Sequence, residues 1–420
     1  MWSSTPRSFG STKRTVTSPN GEDAFQDPSP TGVTVAVASP EAQCTRCCGS
    51  AAYAWTSRHG RAITRETWRV PGSVSPSLTG AVLPPAPPPA ATPPRDDDAD
   101  VTGPRVIVVG AGIVGLAAAS RLLDRGWQVT LLADRPSAAS TSHLAAAVWF
   151  PTRAAPRDRV LAWGSATFTE LADQARRNVP GVVMRESLTL HREDPGEPWW
   201  APAVTDLRAA RPDELPRGYT RGLRFAVPLV EMPVHLPWLI EQVAARGARF
   251  VTRRLTRLDE APAATGGPDL VVAAAGLGAR ELVPDPSVVP VRGQIVRVHN
   301  PGLTLSVRDE AHPGGRAYVH PRTDDVILGG TLEEGVWDAT PDPATAAAIV
   351  ARCTDLVPEL AGAPVLGTVA GLRPARPTVR LERGVLADGT PVIHDYGHGG
   401  SGITLSWGCA DEVAGLAERT

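Results

Sequence analysis

The chain has 420 residues, a formal net charge of -2 and 42% hydrophobic residues, which leaves room for two or three domains with a sizeable core. The nearly balanced charge offers no basic excess, so neither nucleic acid nor an anionic membrane is expected as a partner. No apolar run reaches the ~20 residues of a membrane-spanning helix, and the start lacks the apolar core of a secretory signal, so we expect a cytoplasmic protein.

Residues 1–103 differ in composition from the rest of the chain. They are rich in Ser, Thr, Pro, Gly and Ala, show no helical or strand period, and end in the run LPPAPPPAATPPRDDDAD. Such a segment cannot bury enough apolar surface to offset the entropy lost on ordering, so we predict a disordered extension. Its cysteines Cys44, Cys47 and Cys48 lack the second pair of ligands that a zinc site needs, and no metal site is expected.

A glycine-rich turn follows the first predicted strand. The apolar run Val106–Val109 leads into Gly110, Gly112 and Gly115 and then into a long helix rich in Ala and Leu. In a nucleotide-binding turn, three glycines at this spacing permit a tight turn, close approach of the backbone to a diphosphate, and close packing of helix on strand. The pattern therefore predicts a dinucleotide site, although the glycines alone do not distinguish FAD from NAD.

The residues around this turn support the same prediction. Ile113 and Val114 open the helix, whose N-terminal N–H groups and dipole favour a diphosphate. A second apolar run, Val129–Leu132, is followed by Asp134, nineteen residues after Gly115. That spacing is where an acid that binds a ribose is expected.

The next segments alternate between helix and strand. Ser140, Thr141 and Ser142 open the stretch STSHLAAAVWFP, where hydroxyls either meet a phosphate or cap a loop. Residues 157–177 have helical periodicity, and ESLTLHRE indicates a strand. Further along, we predict a helix over Pro237–Arg246, ended by Gly247, and a strand over Arg249–Leu258.

A second strand that runs into glycines lies at Leu270–Gly278. A parallel strand beside the first motif would let this turn, with Gly276, approach the same cofactor. Residues 290–337 contain several short strands separated by turn residues, which indicates antiparallel sheet. A helix is predicted over Pro343–Cys353, and Cys353 and Cys409 are expected to pack as small buried groups.

Two late stretches carry candidate chemistry. In GLRPARPTVRLE, Arg373 and Arg376 each precede a proline, which holds the backbone extended and excludes a helix. Such arginines suit a carboxylate ligand, and the alternative is that they pair with surface acids. In YGHGGSGITLSWGCA, a glycine-rich loop precedes a helix whose N-terminus can stabilise negative charge on a reduced flavin. We interpret His398, which lies among these glycines, as an anchor of the loop and not as a base.

Taken together, these motifs resemble the D-amino-acid oxidase family, whose members are FAD-dependent. The resemblance rests on ADR at 133–135, TSHLAAAVWFP, VRGQIVRV, YVHPRTDDVILGG, GLRPARPTVRLE and VIHDYGHGGSGITLSWGCA, and it covers residues 105–418. It implies an α/β fold, α+β overall, with a Rossmann-like FAD-binding domain and a substrate domain built on a mixed, largely antiparallel sheet. The FAD-binding domain would comprise 104–150, 226–288 and 365–420, and the substrate domain 151–225 and 289–364.

The resemblance also assigns roles to residues. Arg373 and Tyr318 would hold the substrate carboxylate, the carbonyl of Gly400 would receive the amino group, and no residue acts as a general acid or base. Asp134 and Arg135 would contact the adenosine part, and Ala145 and Ala146 would face the flavin ring, with Trp149 after them. The predicted FAD contacts are Gly110, Gly112, Ile113, Val114, Gly115, Asp134, Arg135, Ser140, Thr141, Ser142, Ala145, Ala146, Gly276, Gly399, Gly400, Gly402, Ile403 and Thr404.

The expected activity is oxidation of a D-amino acid to a 2-oxo acid, ammonia and hydrogen peroxide. The substrate and dioxygen are the expected reaction partners, and a homodimer is the expected assembly. Trp149 and the lack of an obvious second carboxylate clamp favour neutral D-amino acids, although Arg316, two residues before Tyr318, leaves an acidic substrate open. The sequence also leaves open oxidation of glycine or sarcosine, and a flavoprotein without catalytic activity. The segment HPGGRAYVHP lacks the second tyrosine that the family's eukaryotic members carry on a lid over the site.

Overall fold

The structure is a computed structural model, and it describes residues 103–419. The predicted disordered extension, apart from Gly103, and the cysteine cluster at 44–48 lie outside the described residues. Between residues 103 and 419, no helix combines the length and the apolar character needed to cross a lipid bilayer.

The described residues form a mixed fold of strands and helices. The strands are β1 (Arg105–Val109), β2 (Gln128–Ala133), β3 (Val182–His191), β4 (Arg208–Ala209), β5 (Arg221–Val230), β6 (Arg249–Thr252), β7 (Leu270–Ala273), β8 (Val289–His299), β9 (Ser306–Asp309), β10 (Ala317–Pro321), β11 (Asp325–Gly329), β12 (Glu333–Glu334), β13 (Val365–Val385) and β14 (Pro391–His398). The helices are α1 (Ile113–Asp124), α2 (Arg157–Arg176), α3 (Met232–Ala245), α4 (Ala261–Thr265), α5 (Ala279–Leu282), α6 (Pro343–Leu356) and α7 (Gly402–Ala417).

These strands form one sheet with a parallel half and a largely antiparallel half. The parallel half has the order β14-β7-β1-β2-β6, and β1 pairs in parallel with both β2 and β7. The second strand that runs into glycines therefore lies beside the first, as predicted. The other half has the order β4-β5-β3-β9-β10-β11-β8-β13, in which β3 and β9 form the one parallel pair of neighbouring strands in the path that the structure describes. The predicted fold class, α/β with a mixed and largely antiparallel second half, is confirmed.

The two halves are joined through β13, a strand of 21 residues. Its first part pairs with β8 up to Ala375, and its second part pairs with β14 after an irregularity between Ala375 and Arg380. The extended backbone predicted from the two Arg-Pro pairs is confirmed here. Arg373 consequently lies on the strand where the two halves meet.

The antiparallel half has one apolar face and one face that lines a cleft. Val296, Val307, Val319 and Leu328 pack with residues of α6 in a single apolar cluster. Side chains alternate along a strand, so the residues beside these valines project from the opposite face. That face carries Tyr318 and is called the cleft face below.

Two predicted elements have different bounds in the structure. The helix predicted from Pro237 begins earlier, at Met232, because the Glu231 carbonyl already accepts the N–H groups of Val234 and His235. The prediction of a strand as far as Leu258 is wrong, since β6 ends at Thr252. That residue pairs with the last residue of β2, so no partner strand continues beyond it.

The remaining predictions for helices and cysteines agree well with the structure. The helix predicted from Pro343 extends three residues beyond Cys353, and the helix predicted at 157–177 is α2. Cys353 and Cys409 are free thiols with no exposed surface, so their predicted burial is confirmed.

Candidate active site

Two glycines of the β1–α1 turn are required by its packing. Gly110 has φ +119°, and a Cβ added there would lie 2.3 Å from the Ala274 carbonyl oxygen. A Cβ at Gly115 would lie 1.9 Å from the carbonyl oxygen of Gly110. Both positions exclude any other residue, because such contacts are far inside van der Waals distance. The turn after β1 thus brings β7 and α1 close together.

The N-termini of two helices meet beside this turn. Gly112 precedes α1 and Ser401 precedes α7, and neither of these two residues caps its helix with a side-chain hydrogen bond. A Cβ at Gly402 would lie 3.9 Å from Ile113 Cγ2 and 4.0 Å from Val114 Cγ2, so the two ends are adjacent. Two helix dipoles and their N–H groups then favour an anion at one place. This arrangement fits the diphosphate of FAD.

The predicted ribose acid lies directly after β2. The Asp134 carboxylate is 2.6 Å from the Arg135 guanidinium, and the side chain is 39% exposed. The hydrogen bond from Arg135 lowers the pKa of Asp134. Asp134 is therefore a partly exposed anionic acceptor at the carboxyl end of β2, in the form that binds hydroxyl groups.

The three predicted hydroxyls bind protein groups. Ser142 Oγ accepts the Ile113 N–H at 3.1 Å, and Thr141 Oγ1 donates to the Leu372 carbonyl at 3.0 Å. Ser140 Oγ donates to the Ser137 carbonyl at 2.5 Å. The segment that leads to Ala145 and Ala146 is thereby fastened to both α1 and β13. These hydroxyls therefore hold the loop in place.

Three further predicted glycines lie around Arg373. Gly276 has φ +58°, and a Cβ there would be 3.8 Å from Pro374 Cγ. Gly399 and Gly400 have φ of +62° and +99°, and a Cβ on Gly400 would lie 2.8 Å from Arg373 Cδ. The turn between β14 and α7 therefore packs against the stem of this arginine. By contrast, the Thr404 hydroxyl is turned away to the backbone of Phe150.

The Arg373 guanidinium lies flat on a glycine of the neighbouring strand. A Cβ at Gly293 would be 2.1 Å from both Nη1 and Nη2, so any other residue there would displace the guanidinium. Nη1 donates to the Thr331 carbonyl at 3.3 Å. No carboxylate between residues 103 and 419 lies within ion-pair distance of this cation. Arg373 is thus a fixed, partly buried cation that lacks an anionic partner.

Arg376, in the same motif, has a different role. Its Nε donates to Asp285 Oδ2 at 2.9 Å, and the Tyr396 hydroxyl donates to the same oxygen at 2.9 Å. The sequence left open whether these arginines bind a carboxylate ligand or pair with acids of the protein. Within the described residues, Arg376 pairs with an acid, and Arg373 does not. Burial raises the pKa of Asp285, but hydrogen bonds from Ser287, Tyr396 and Arg376 outweigh it and lower the pKa to about 2.

We expect Asp285→Asn to lower the free energy of unfolding by about 2 kcal/mol at pH 7, because charge-assisted hydrogen bonds to a mostly buried carboxylate are lost. A lowered pKa contributes stability above the unfolded pKa of about 3.9, and this contribution is lost as the pH falls towards 2. Urea unfolding measures the free energy of unfolding of both proteins at pH 7, 5 and 3. The difference between the two should be the same at pH 7 and 5 and smaller at pH 3. A variant as stable as the parent at pH 7 would contradict the network.

Tyr318 reaches the same cleft across two glycines. A Cβ at Gly329 would lie 2.3 Å from the Tyr318 hydroxyl, and one at Gly330 would lie 2.6 Å from it. The ring stacks on His320 with centroids 4.8 Å apart. Loss of hydration raises the pKa of Tyr318, although the charge of Arg373 opposes this. The hydroxyl therefore stays protonated and can donate a hydrogen bond.

Strand register explains why Tyr318 and Arg373 face the same cleft. Tyr318 pairs with Gly329, and Gly329 pairs with Ile295 on β8. On β8, Gly293 lies two residues before Ile295. It pairs with Gly371 of β13, which lies two residues before Arg373. Because alternate residues share a face, the two predicted substrate ligands project from one side of the sheet.

A buried arginine that the sequence analysis did not single out lies next to Tyr318. Arg308 pairs with Tyr318 across β9 and β10 and is 5% exposed. Its guanidinium lies 3.9 Å from the centre of the Phe150 ring, and its Nε has no hydrogen-bond partner. No carboxylate of the described chain lies within ion-pair distance. Burial lowers the pKa of Arg308 to about 10, so the side chain is still charged at neutral pH.

The side chains around Arg308 are polar, and two of them also lack hydrogen-bond partners. Thr189 pairs with Arg308 across β3 and β9, and the buried hydroxyls of Ser187 and Thr189 have no hydrogen-bond partner. Arg316, the cation considered from the sequence, is 2.7 Å from Glu310 and is therefore already paired. Unsatisfied buried polar groups are uncommon in folded proteins. This part of the cleft face is thus suited to a polar ligand group.

Comparisons with known proteins agree with this geometry. The model of the family described as "FAD dependent oxidoreductase" matches residues 105–416. The chain is 51% identical over 314 residues to D-amino-acid oxidase of Rubrobacter xylanophilus, covering 74% of this chain and 95% of the relative. It is 45% identical over 327 residues to D-amino-acid oxidase of Streptomyces coelicolor, covering 77% and 98%.

More distant proteins share the fold. Human D-aspartate oxidase is 37% identical over 330 residues, covering 75% of this chain and 95% of the relative. Among solved structures, glycine oxidase from Geobacillus kaustophilus superposes with a TM-score of 0.64 at 22% identity, covering 76% of this chain and 95% of the other. Since the family model and these relatives span most of the sequence, the chain belongs to the D-amino-acid oxidase family of FAD-dependent oxidoreductases, with FAD as its cofactor.

Proposed function

We propose that the protein oxidises D-amino acids to 2-oxo acids and ammonia, with release of hydrogen peroxide. The observation that carries the proposal is the partnerless cation of Arg373, held between the Tyr318 strand and the Gly400 turn. A partly buried cation needs an anion, and a substrate carboxylate supplies one. The relatives named D-amino-acid oxidase support the same activity.

The carboxylate and the amino group of the substrate would meet different elements. Arg373 donates two parallel N–H groups to the carboxylate, and the protonated hydroxyl of Tyr318 donates a third hydrogen bond. The Gly400 turn, which lies on the Arg373 stem, offers its carbonyl to the amino group. Two anchors on opposite sides of Cα fix which face of the substrate is presented, and positioning of this kind accounts for much of enzymatic rate enhancement.

The parallel half fits FAD in charge and in space. The N-termini of α1 and α7, where Gly112 and Ser401 provide no side-chain cap, suit its diphosphate, and the Asp134 carboxylate suits the hydroxyls of its ribose. We assign the cofactor contacts to the residues predicted from the sequence around these features. When bound, FAD supplies the acceptor for the hydride that leaves the substrate, and dioxygen removes the electrons as hydrogen peroxide.

A substrate panel on the purified protein tests the proposal. We expect peroxide release with D-alanine and D-methionine, no release with L-alanine, and anaerobic bleaching of the flavin absorption by the same D-amino acids. Faster oxidation of glycine or sarcosine than of any D-amino acid would favour that activity instead. A yellow protein that no amino acid bleaches would be a non-catalytic flavoprotein.

Arg308 favours a second candidate function, oxidation of D-aspartate or D-glutamate. The prediction of neutral substrates assumed that the cleft has no second cation, but Arg308 is a buried one directly opposite Tyr318. A side-chain carboxylate would give this guanidinium the anionic partner that it lacks. D-aspartate and D-glutamate therefore belong in the panel beside the neutral substrates.

We also propose a cytoplasmic location, a homodimer and the two-domain division predicted from the sequence. The free thiols Cys353 and Cys409 suit a reducing compartment. The change from parallel to antiparallel pairing at β13 supports the division into a FAD-binding and a substrate domain. Sedimentation of the purified protein would measure the assembly directly.

A further inference from the structure

A buried cluster of titratable side chains lies behind the turn that carries Gly400. Asp395 and His398 belong to β14, and Cys409 belongs to α7, with 1%, 3% and 0% of their surface exposed. Their carboxylate, imidazole and thiol atoms all lie within 4.8 Å of one another. None of the three side chains contacts the proposed substrate ligands.

The Asp395 carboxylate depends on His398 for compensation. Neither of its oxygens meets the geometry of a hydrogen bond, nor does His398 Nε2, but this nitrogen lies 3.2 Å from Oδ1 and is the one basic nitrogen of the described residues within ion-pair distance of the carboxylate. A buried carboxylate without a partner costs several kcal/mol. Burial raises the pKa of the Cys409 thiol well above its usual value, and Asp395 and Glu412 add to this effect, so the thiol is neutral.

The charged groups on the neighbouring helices are already engaged. Glu412 of α7 accepts hydrogen bonds from Arg159 and from Trp163 Nε1 of α2, at 2.5 and 2.7 Å. Arg159 also donates to the Leu381 carbonyl at 3.0 Å. The imidazole of His398 is therefore the group available to hold Asp395, and Asp395 in turn fixes the imidazole.

His398 is also the first residue of the Gly400 turn. Its carbonyl accepts the Ser401 N–H at 2.9 Å, and the next residue, Gly399, donates its N–H to the Pro374 carbonyl at 2.9 Å. A movement of His398 would thus be transmitted to Gly399 and Gly400, because these two hydrogen bonds tie the turn to His398 at one end and to Pro374 at the other. Gly400 in turn packs on the Arg373 stem.

We propose that Asp395 is a positioning residue for the substrate amino group. By holding the His398 imidazole from behind, it keeps the Gly400 carbonyl aimed at the amine, whereas the Arg373 guanidinium that binds the carboxylate is held at its far end by Gly293 and the Thr331 carbonyl. This inference rests on the proposed function and adds a residue to it. It predicts that loss of Asp395 affects ligands that carry an amino group and spares those that do not.

The test compares a substrate with its analogue that lacks the amino group. For Asp395→Asn holoenzyme, we expect the KM for D-alanine to rise roughly tenfold, the value of one well-oriented hydrogen bond. The dissociation constant of propionate, measured from the change that it causes in the flavin absorption spectrum, should change less than twofold. Cys409→Ala, which removes the thiol without adding a donor that could compete with His398 for Asp395, should keep both values.

Three results would overturn the proposal. Equal weakening of D-alanine and propionate would mean general loosening of the site, and unchanged values for both would mean that Asp395 has no such role. A stoichiometric metal ion in the purified protein would assign the cluster to cation binding instead. If Asp395→Asn does not fold, His398→Gln must raise the KM for D-alanine and leave the dissociation constant of propionate nearly unchanged. A parent protein that binds propionate but oxidises no D-amino acid would refute the proposed function instead.

Discussion

Arg373→Gln is expected to lower kcat/KM for D-alanine by a factor of 100 to 1000, or about 3–4 kcal/mol. The change removes a bidentate, charge-assisted contact and leaves the substrate carboxylate without a cation in a partly buried cleft. Steady-state peroxide release measures the effect, and flavin absorption checks that FAD is still bound. We expect the loss mainly in KM, because Arg373 also contributes to ground-state binding.

Arg376→Gln is the matched control for this prediction. It alters the neighbouring arginine of the same motif, which binds Asp285 and Thr378 and contacts no proposed substrate group. We expect nearly unchanged kcat/KM and a lower Tm. Unchanged kinetics in Arg373→Gln, or an equal loss in both variants, would rule out Arg373 as the carboxylate ligand.

The second large effect is expected at Arg308. If this guanidinium binds a side-chain carboxylate, Arg308→Met should lower kcat/KM for D-aspartate and D-glutamate about 100-fold and that for D-alanine less than threefold. The same change should raise the Tm, because an apolar side chain of similar length replaces a buried charge that has no partner. The panel of substrates and a thermal melt measure the two effects separately.

The control for Arg308 is Arg316→Met, which removes a cation that is already paired with Glu310 and is more exposed. It should leave the substrate preference unchanged and should not raise the Tm. If Arg308→Met alters acidic and neutral substrates equally, the second candidate function is wrong, and the neutral preference expected from the sequence stands.

Local patterns were sufficient for the nucleotide half of the molecule. The strand, the glycines Gly110 and Gly115 and the following helix lie within a short stretch, and their packing requirements can be read from spacing alone. The same holds for β13, where two Arg-Pro pairs impose extended backbone on any surrounding structure. These features depend on neighbours in sequence, so no long-range contact was needed to predict them.

Predicting which side chains meet in the antiparallel half requires the register of the strands, and the sequence does not give that register. Arg308 faces the cleft because β9 pairs with β10 so that Arg308 lies opposite Tyr318, and the loop between the strands sets that pairing. Gly293 did carry a signal, since a glycine inside a strand often marks the close approach of another group. The group that packs against Gly293 is Arg373, which lies 80 residues further along the chain and could not be identified from that signal.

The two arginines of one motif show the same limit. Sequence patterns alone give Arg373 and Arg376 equal standing, and the family resemblance was needed to choose between them. In the structure, Arg376 is hydrogen-bonded to Asp285, which lies 91 residues earlier in the chain. That contact identifies Arg373 as the arginine that can bind a substrate. Contacts at such separation are fixed by the folded sheet and not by local preference.

The long strand β13 has a consequence for how the two halves can move. It is hydrogen-bonded to β8 as far as Ala375 and regularly to β14 from Arg380 on, so a motion of one half against the other would bend β13 at the irregularity between these residues. Arg153 and Glu334 of β12, which line one pocket with Ala375 and Arg376 at this irregularity, form an exposed ion pair of 2.7 Å. Opening that bridge requires small motions of side chains, and added salt favours it.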